Sequence, residues 1–246
     1  MRKRKLFLFG LAILLFIALP WGIERMVNAN QGPLSGYIIV LDAGHGGVDG
    51  GAVSKDGLVE KEINLAITRY LQDYLQQSGS LVYLTREGDY DLADEAEKSL
   101  NKRKRQDLSR RAQIVEDVDA DLLVTIHLNA MKSGKWRGAQ TFYYDGQDDS
   151  KKLAEHIQRQ LIAHLQNTTR TVNKSGEIYL LRTSERPAVL VEAGFISNPE
   201  EAQLLKESGY QKKIAFAIYE GIIAYLIEPP EGELEDATPT SEHQGS

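Results

Sequence analysis

Residues 37–52 read YIIVLDAGHGGVDGGA, an apolar run that stops at Asp42 and passes into a glycine-rich loop carrying one histidine, His45. The run at 37–41 is β-branched and unbroken, the habit of a strand buried on both faces in a parallel sheet covered by helices. In open sheets of that kind ligands gather beyond the carboxyl ends of the strands. Glycines there let the backbone turn sharply and approach a ligand or metal closely. The chemistry is therefore expected in the loop after residue 41.

Two further stretches repeat the arrangement. Residues 122–126 (LLVTI) run straight into His127, Leu128 and Asn129, and residues 188–191 (AVLV) run straight into Glu192. One histidine after one strand is an ordinary hydrogen-bonded loop residue; three strands that each deliver a polar residue at the same end are harder to dismiss. If the strands are parallel neighbours, His45, His127 and Glu192 converge above one edge of the sheet. Converging imidazole and carboxylate groups suit a first-row metal such as zinc.

Between the first two of these strands, Glu60-Lys61-Glu62 opens a stripe of Ile63, Ala66, Ile67, Tyr70, Leu71, Tyr74 and Leu75. That spacing predicts a helix ending at Ser78 and Gly79. Glu60 sits at its start, in reach of His45, although first-turn acids also simply complement the helix dipole. Residues 81–85 predict a second buried strand, so the chain opens as β-loop-α-β. Residues 87–106 carry an acidic half and a basic half and read as a solvated loop or helix face. A helix follows over 108–118; its Arg111 is a candidate contact for an anionic substrate, with a surface arginine as the default. Further on, the pattern predicts a strand at 139–144, a helix at 151–166 in which His156 and His164 are ordinary helix residues, a short edge strand at 177–181, a helix started by the turn at 197–200, and a long helix over 210–227.

The ends differ in kind. Arg2 to Lys5 form a basic cluster before an apolar run that reaches Ile23, so residues 1–29 read as a signal peptide or a membrane anchor. Either places the rest of the chain outside the cytoplasmic membrane. Residues 30–36 read as a linker, 37–228 as one catalytic domain, and 229–246 as an acidic disordered tail. The whole has 246 residues, a net charge of -6 and no cysteine. That length suits one sizeable α/β domain, a mostly parallel twisted sheet with helices on both faces. Without cysteine there are no disulfides, no Cys-ligated zinc and no thiol nucleophile, and the acidic balance argues against nucleic acid as a partner.

The stretches VLDAGHGGVDGGA, Glu60-Lys61-Glu62-Ile63-Asn64-Leu65, YLTR at 83–86, ADLLVTIHLNA at 120–130 and PAVLVEAGFISN at 187–198 together resemble the zinc-dependent N-acetylmuramoyl-L-alanine amidase family. The resemblance spans roughly 37–227. Ala43 stands where the family commonly has proline and Ala193 where it often has leucine, and the charged segment 87–106 is longer than usual. The resemblance implies a single Zn2+ held by His45, Glu60 and His127, Glu192 as the catalytic carboxylate, and Asn64 and Asn129 as supporting or substrate-contacting residues. It also implies peptidoglycan as substrate, cut between the lactyl carboxyl of muramic acid and L-alanine. The compact layout is similar to the sporulation members of the family, which act on spore-cortex peptidoglycan on the way to muramic-δ-lactam. Such a role implies a deacetylase acting afterwards and an activator protein as partner, with the membrane a further partner if the N-terminal segment is uncleaved. The alternatives are another exported zinc peptidase or amidase, or a non-catalytic wall-binding relative. An HxxE carboxypeptidase signature fails because Gly46, Gly47 and Val48 follow His45, and HExxH is absent.

Overall fold

The structure, a computed structural model, describes residues 32–227. The expected signal or anchor at 1–29, the start of the linker and the acidic tail at 229–246 lie outside the described residues. Among the described residues no helix is long and apolar enough to cross a membrane.

Six strands form one sheet: β1 (Ile38–Ala43), β2 (Leu81–Leu84), β3 (Leu122–Asn129), β4 (Gln140–Tyr143), β5 (Asn173–Lys174) and β6 (Ala188–Phe195). Their order is β2-β1-β3-β6-β4-β5. β1 pairs in parallel with β2 and β3, and β3 with β6. β4 joins β6 antiparallel and carries β5 outside it. The sheet is thus mostly parallel, as the unbroken apolar runs predict.

The helices are α1 (Glu60–Gln77), α2 (Leu100–Asp117), α3 (Asp148–Leu165), α4 (Tyr179–Thr183), α5 (Pro199–Lys206) and α6 (Ser208–Ile227). Strand alternation sorts them into two layers. Ile39, Leu41, Leu122, Val124, Ile126, Val189 and Val191 face a core built with α1, α3 and α6, including Ile67, Leu71, Ile157, Leu161, Ile214 and Ile218. Val40, Leu123, Ala188 and Leu190 face a smaller core closed by Val115 of α2 and Leu180 and Leu181 of α4. Each fully buried aliphatic side chain contributes about 1.5–3 kcal/mol relative to exposure, so the larger layer carries most of the stability.

Several expectations need correction. Residues 32–36 are not all linker: Leu34 is fully buried in the larger core, and its N–H donates to Ser78 O at 2.9 Å. β2 is an edge strand rather than a buried one, with Leu81 58% and Tyr83 43% exposed; only Val82 and Leu84 pack on the core. Residues 177–181 do not form a strand. Leu180 and Leu181 are consecutive and both buried, which an alternating edge strand cannot achieve, and the segment instead winds into α4. The helix expected over 108–118 begins at Leu100, so the charged segment is helical from residue 100 onward.

At Gly221 of α6 an added Cβ would lie 2.5 Å from Ile157 Cα of α3, so the two helices touch backbone to backbone. Gly221→Ala is predicted to lower stability by about 1–3 kcal/mol through this overpacking, measured as a lower urea midpoint at unchanged m-value.

Candidate metal centre and active site

On the sheet face covered by α2 and α4, the strands change character towards their carboxyl ends. Val40 gives way to Asp42, Leu123 to Thr125 and then His127, and Leu190 to Glu192. His127 and Glu192 are register partners across β3 and β6, so the pleat sets them side by side. The register shifts just after His127. There the backbone N–H of Leu128 donates to Glu60 Oε1 at 3.0 Å.

Glu60 is the first residue of α1 and is 3% exposed. Its Oε1 lies 3.2 Å from His45 Nε2 and 3.2 Å from His127 Nδ1, while its Oε2 accepts from the Ala52 N–H at 2.8 Å. The two imidazole rings stand 4.9 Å apart, edge to face at 72°. His45, Glu60 and His127 each offer one ligand atom, and these atoms lie within 4.8 Å of one another. Among the described residues they form a group able to hold a metal ion. Gly44 makes the convergence possible, because a Cβ there would sit 2.2 Å from His127 Nε2.

Electrostatics separates the site's two carboxylates. Burial pushes Glu60 up, but the His127 and His45 imidazoles outweigh it and hold Glu60 well below the usual carboxylate range. Burial likewise lowers His45, yet its contacts with Asp49 and Glu60 raise it to about 9. Glu192 goes the other way: burial, reinforced by the negative charge of Glu60, lifts it to about 8. Its Oε2 is buried without a hydrogen-bond partner. An unpaired buried carboxylate oxygen is costly and is found where a group is kept for something other than stability.

The loop that carries His45 is braced from beneath. His45 has φ 65°, in the left-handed region, which is uncommon for a residue with a Cβ. Arg111 Nη2 donates to His45 O at 2.7 Å, and Nη1 donates to Ala43 O at 2.9 Å and Asp42 Oδ1 at 2.7 Å, while Nε reaches Asp107 Oδ1 at 2.9 Å. Arg111 is 1% exposed. It is therefore neither the surface arginine nor the substrate contact that the sequence admits; each of its three guanidinium nitrogens donates to the protein. Burial pushes Asp42 up, but Arg111 and the hydroxyls of Thr125 and Thr85 outweigh it, so its carboxyl sits far below the usual range. Asn64 lies behind Glu60, fully buried, with Nδ2 donating to Gly44 O at 3.3 Å and Glu60 Oε1 at 3.4 Å. That location suits support of Glu60 and excludes substrate contact. Asn129 is half-buried at the end of β3, its carbonyl accepting from Ile196 N–H at 2.9 Å.

Sequence reasoning missed Asp42, Asp107 and Arg86. Arg86 is 1% exposed and donates to the carbonyls of Ala43, Gly44, Lys61 and Gly88. The signal that could have found two of them was a charged residue at the carboxyl end of each of two neighbouring strands, Asp42 near the end of β1 and Arg86 just past β2; Asp107, on α2, had no such signal. Asp42→Asn is predicted to cost about 3 kcal/mol near neutral pH, because it leaves Arg111 short of an anion in the interior. Asp42 is depressed in the folded state, so its contribution is full above its unfolded pKa of about 3.9 and is lost as pH falls towards the folded value. Urea titrations should show the gap between wild type and variant narrowing below about pH 4.

Comparison with known proteins agrees with this architecture. Residues 39–224 match the family model described as N-acetylmuramoyl-L-alanine amidase. The chain is 44% identical over 238 residues to the germination-specific N-acetylmuramoyl-L-alanine amidase of Bacillus subtilis (strain 168), covering 92% of this chain and 96% of that protein. Among solved structures, the CwlD amidase from Clostridioides difficile in complex with the GerS lipoprotein superposes with a TM-score of 0.76 at 45% identity, over 77% of this chain and 98% of that one. An N-acetylmuramoyl-L-alanine amidase from Clostridium difficile 630 gives 0.68 at 32% identity, over 77% of this chain and 96% of its own. With nearly the whole described region matched in both sequence and topology, the chain belongs to the N-acetylmuramoyl-L-alanine amidase family.

Proposed function

We propose that this amidase hydrolyses the bond between N-acetylmuramic acid and L-alanine in peptidoglycan with the help of one zinc ion held by His45, Glu60 and His127, and with Glu192 as the group that moves the proton. The observation that carries the reading is Glu192 Oε2, buried and unpartnered, on the residue that sits beside His127 in register. The donor set also fits the metal. Two imidazoles and one carboxylate, with no cysteine in the chain, are a zinc-hydrolase set, and three protein ligands leave a position open for chemistry.

When bound, zinc supplies a Lewis acid that polarises the substrate carbonyl and acidifies water. The remaining work falls to the protein. In hydrolysis a C–O bond forms at the carbonyl carbon as the C–N bond breaks, so one proton must leave the attacking water and one must reach the departing nitrogen. Ionised Glu192 accepts the first through its unpartnered oxygen, and the protonated form then donates to the amine. Burial and the charge of Glu60 raise the proton affinity of Glu192, so its ionised form is a stronger base than a free carboxylate and its protonated form can still donate to an amine, the pairing that general acid–base catalysis requires. Glu60, held anionic, and Asn64 behind it keep the ligand side of the site fixed.

The biological setting is proposed on the relatives. Similarity to a germination-specific amidase supports a role in spore-cortex maturation towards muramic-δ-lactam, with a deacetylase acting on the product. The solved CwlD amidase is in complex with a lipoprotein, which supports a protein partner, an activator, for this chain. A substrate in the wall puts the domain outside the cytoplasmic membrane, whether residues 1–29 are cleaved as a signal or retained as an anchor.

Elemental analysis should find about one zinc per wild-type chain, with most of it lost in His45→Ala and His127→Ala, since a three-ligand site cannot spare an imidazole. His164→Ala, on α3 and paired with Glu220, should retain it. Wild-type zinc content in the His45 and His127 variants would remove them as ligands.

Glu192→Gln should keep fold and zinc while release of stem peptides from peptidoglycan, followed by mass spectrometry, falls roughly 10²- to 10⁴-fold. Glu60→Gln should weaken zinc retention as well as rate, because it replaces an anionic ligand by a neutral one. A folded, zinc-loaded Glu192→Gln protein that cleaves at near wild-type rate would assign the proton transfer elsewhere.

A further inference from the structure

Behind His45 lies a carboxylate that the catalytic scheme does not use. Backbone hydrogen bonds run both ways between Gly46 and Asp49, Gly46 N–H to Asp49 O at 2.9 Å and Asp49 N–H to Gly46 O at 3.1 Å. This tight turn folds Asp49 back on the histidine that precedes it. Asp49 Oδ1 then lies 2.9 Å from His45 Nδ1, on the side of the ring opposite the nitrogen that faces Glu60. The same Oδ1 accepts from Gly51 N–H at 3.1 Å. Its Oδ2 accepts from Lys104 Nζ at 2.5 Å, a contact reaching over from α2.

We infer that Asp49 is the positioning residue for His45, and that Lys104 and the Gly51 N–H hold its carboxylate against the Nδ1 side of the imidazole. A carboxylate 2.9 Å from Nδ1 draws a proton to that nitrogen rather than to Nε2, and its charge restrains the rotation of the ring. Neither task can be left to the loop alone. Its backbone turns through a left-handed residue at His45, and Asp49 itself is about one-third exposed, with 34% of its side chain accessible. A lone surface carboxylate would spend much of its time turned to water.

The charged segment supplies the restraint. Asp89 Oδ1 accepts from the Gly47 N–H at 2.9 Å, and its Oδ2 is bridged by Lys61 Nζ at 2.7 Å, whose ammonium also reaches Gly47 O at 2.8 Å. Asp91 is paired with Arg103 of α2 at 2.6 Å. The acidic half of the segment thus grips the turn and the start of α2, and α2 brings Lys104 onto Asp49. Residues 87–106 act as a clamp on a metal ligand, which the sequence pattern could not reveal.

This inference rests on the metal reading above and is tested by zinc affinity rather than by cleavage. The zinc dissociation constant of the purified full chain is measured by competition with a chromogenic chelator, alongside the melting temperature of each zinc-free protein. Asp49→Ala should weaken zinc binding about 10- to 100-fold, the usual effect of losing a carboxylate behind a ligating histidine. Asp49→Asn should lose less, because its amide keeps the size of the side chain and a polar oxygen facing Nδ1. Lys104→Gln should weaken binding in the wild-type background and change nothing further in Asp49→Ala, the non-additivity expected when one residue acts through another; Lys104→Arg should restore it. Lys174→Gln, which breaks an exposed pair with Asp145, is the control. Wild-type affinity in folded Asp49→Ala and Asp49→Asn proteins, or an equal loss from Lys104→Gln with and without Asp49, would overturn the inference. A wild-type chain that binds no zinc would instead overturn the metal reading.

Discussion

A guanidinium that is almost wholly sealed from water dictates how this end of the sheet is built. Removing Arg111 from solvent costs several kcal/mol unless its charge and its three nitrogens are met by partners. The chain meets them with Asp42, Asp107 and the carbonyls of Ala43 and His45. Those four partners lie on the end of β1, on α2 itself and on the glycine loop. Satisfying one side chain therefore locks a helix, a strand end and the backbone of a candidate metal ligand into one geometry. Arg86 repeats the device from β2 using carbonyls alone, and the repulsion of Arg111 adds to burial in lowering its proton affinity.

Above that base the site depends on opposite treatment of two glutamates. Glu60 is surrounded by donors and stays ionised; Glu192 has little to bond with and resists ionisation. The charge of the first contributes to the high proton affinity of the second. Two carboxyl groups whose environments drive their pKa values apart are the usual mark of divided roles. Here the division follows from topology: Glu60 reaches from a helix start to the free N–H groups of Ala52 in the glycine loop and Leu128 at the register shift of β3, while Glu192 comes from the interior of a strand whose own amides are committed to the ladder.

What could be read from the sequence was whatever depended on local pattern. The three apolar runs at 37–41, 122–126 and 188–191 pointed to strands, their parallel pairing, and the end of the sheet where His45, His127 and Glu192 lie; Glu60, on a helix start, was singled out as a ligand only by the family resemblance. Pattern failed where the partner was distant. Residues 87–106 looked like a solvated charged face because charge density alone does not say whether Asp91 has Arg103 across from it, or Asp49 has Lys104. Arg111 was misplaced for the same reason: its burial is decided by Asp42, which is 69 residues away in the sequence. At 177–181 a short apolar stretch fits strand and helix equally, and only packing of Leu180 and Leu181 under α2 chooses the helix.

The two layers of the molecule therefore carry different burdens. On the α1, α3 and α6 side the sheet meets a continuous aliphatic core, and stability there needs only volume and shape. On the α2 and α4 side the aliphatic core is small, and towards the carboxyl ends of the strands it is replaced by Asp42, Thr125, Arg111 and Asp107, a polar interior in which every member must be paired. Such an interior contributes less to stability than an apolar one of the same size, yet it is rigid in direction as well as in distance. Imidazoles and a carboxylate that must converge within a few ångströms need directional support, and dispersion contacts cannot give it. The polar layer lies directly beneath the convergence point because that is where orientation matters more than burial.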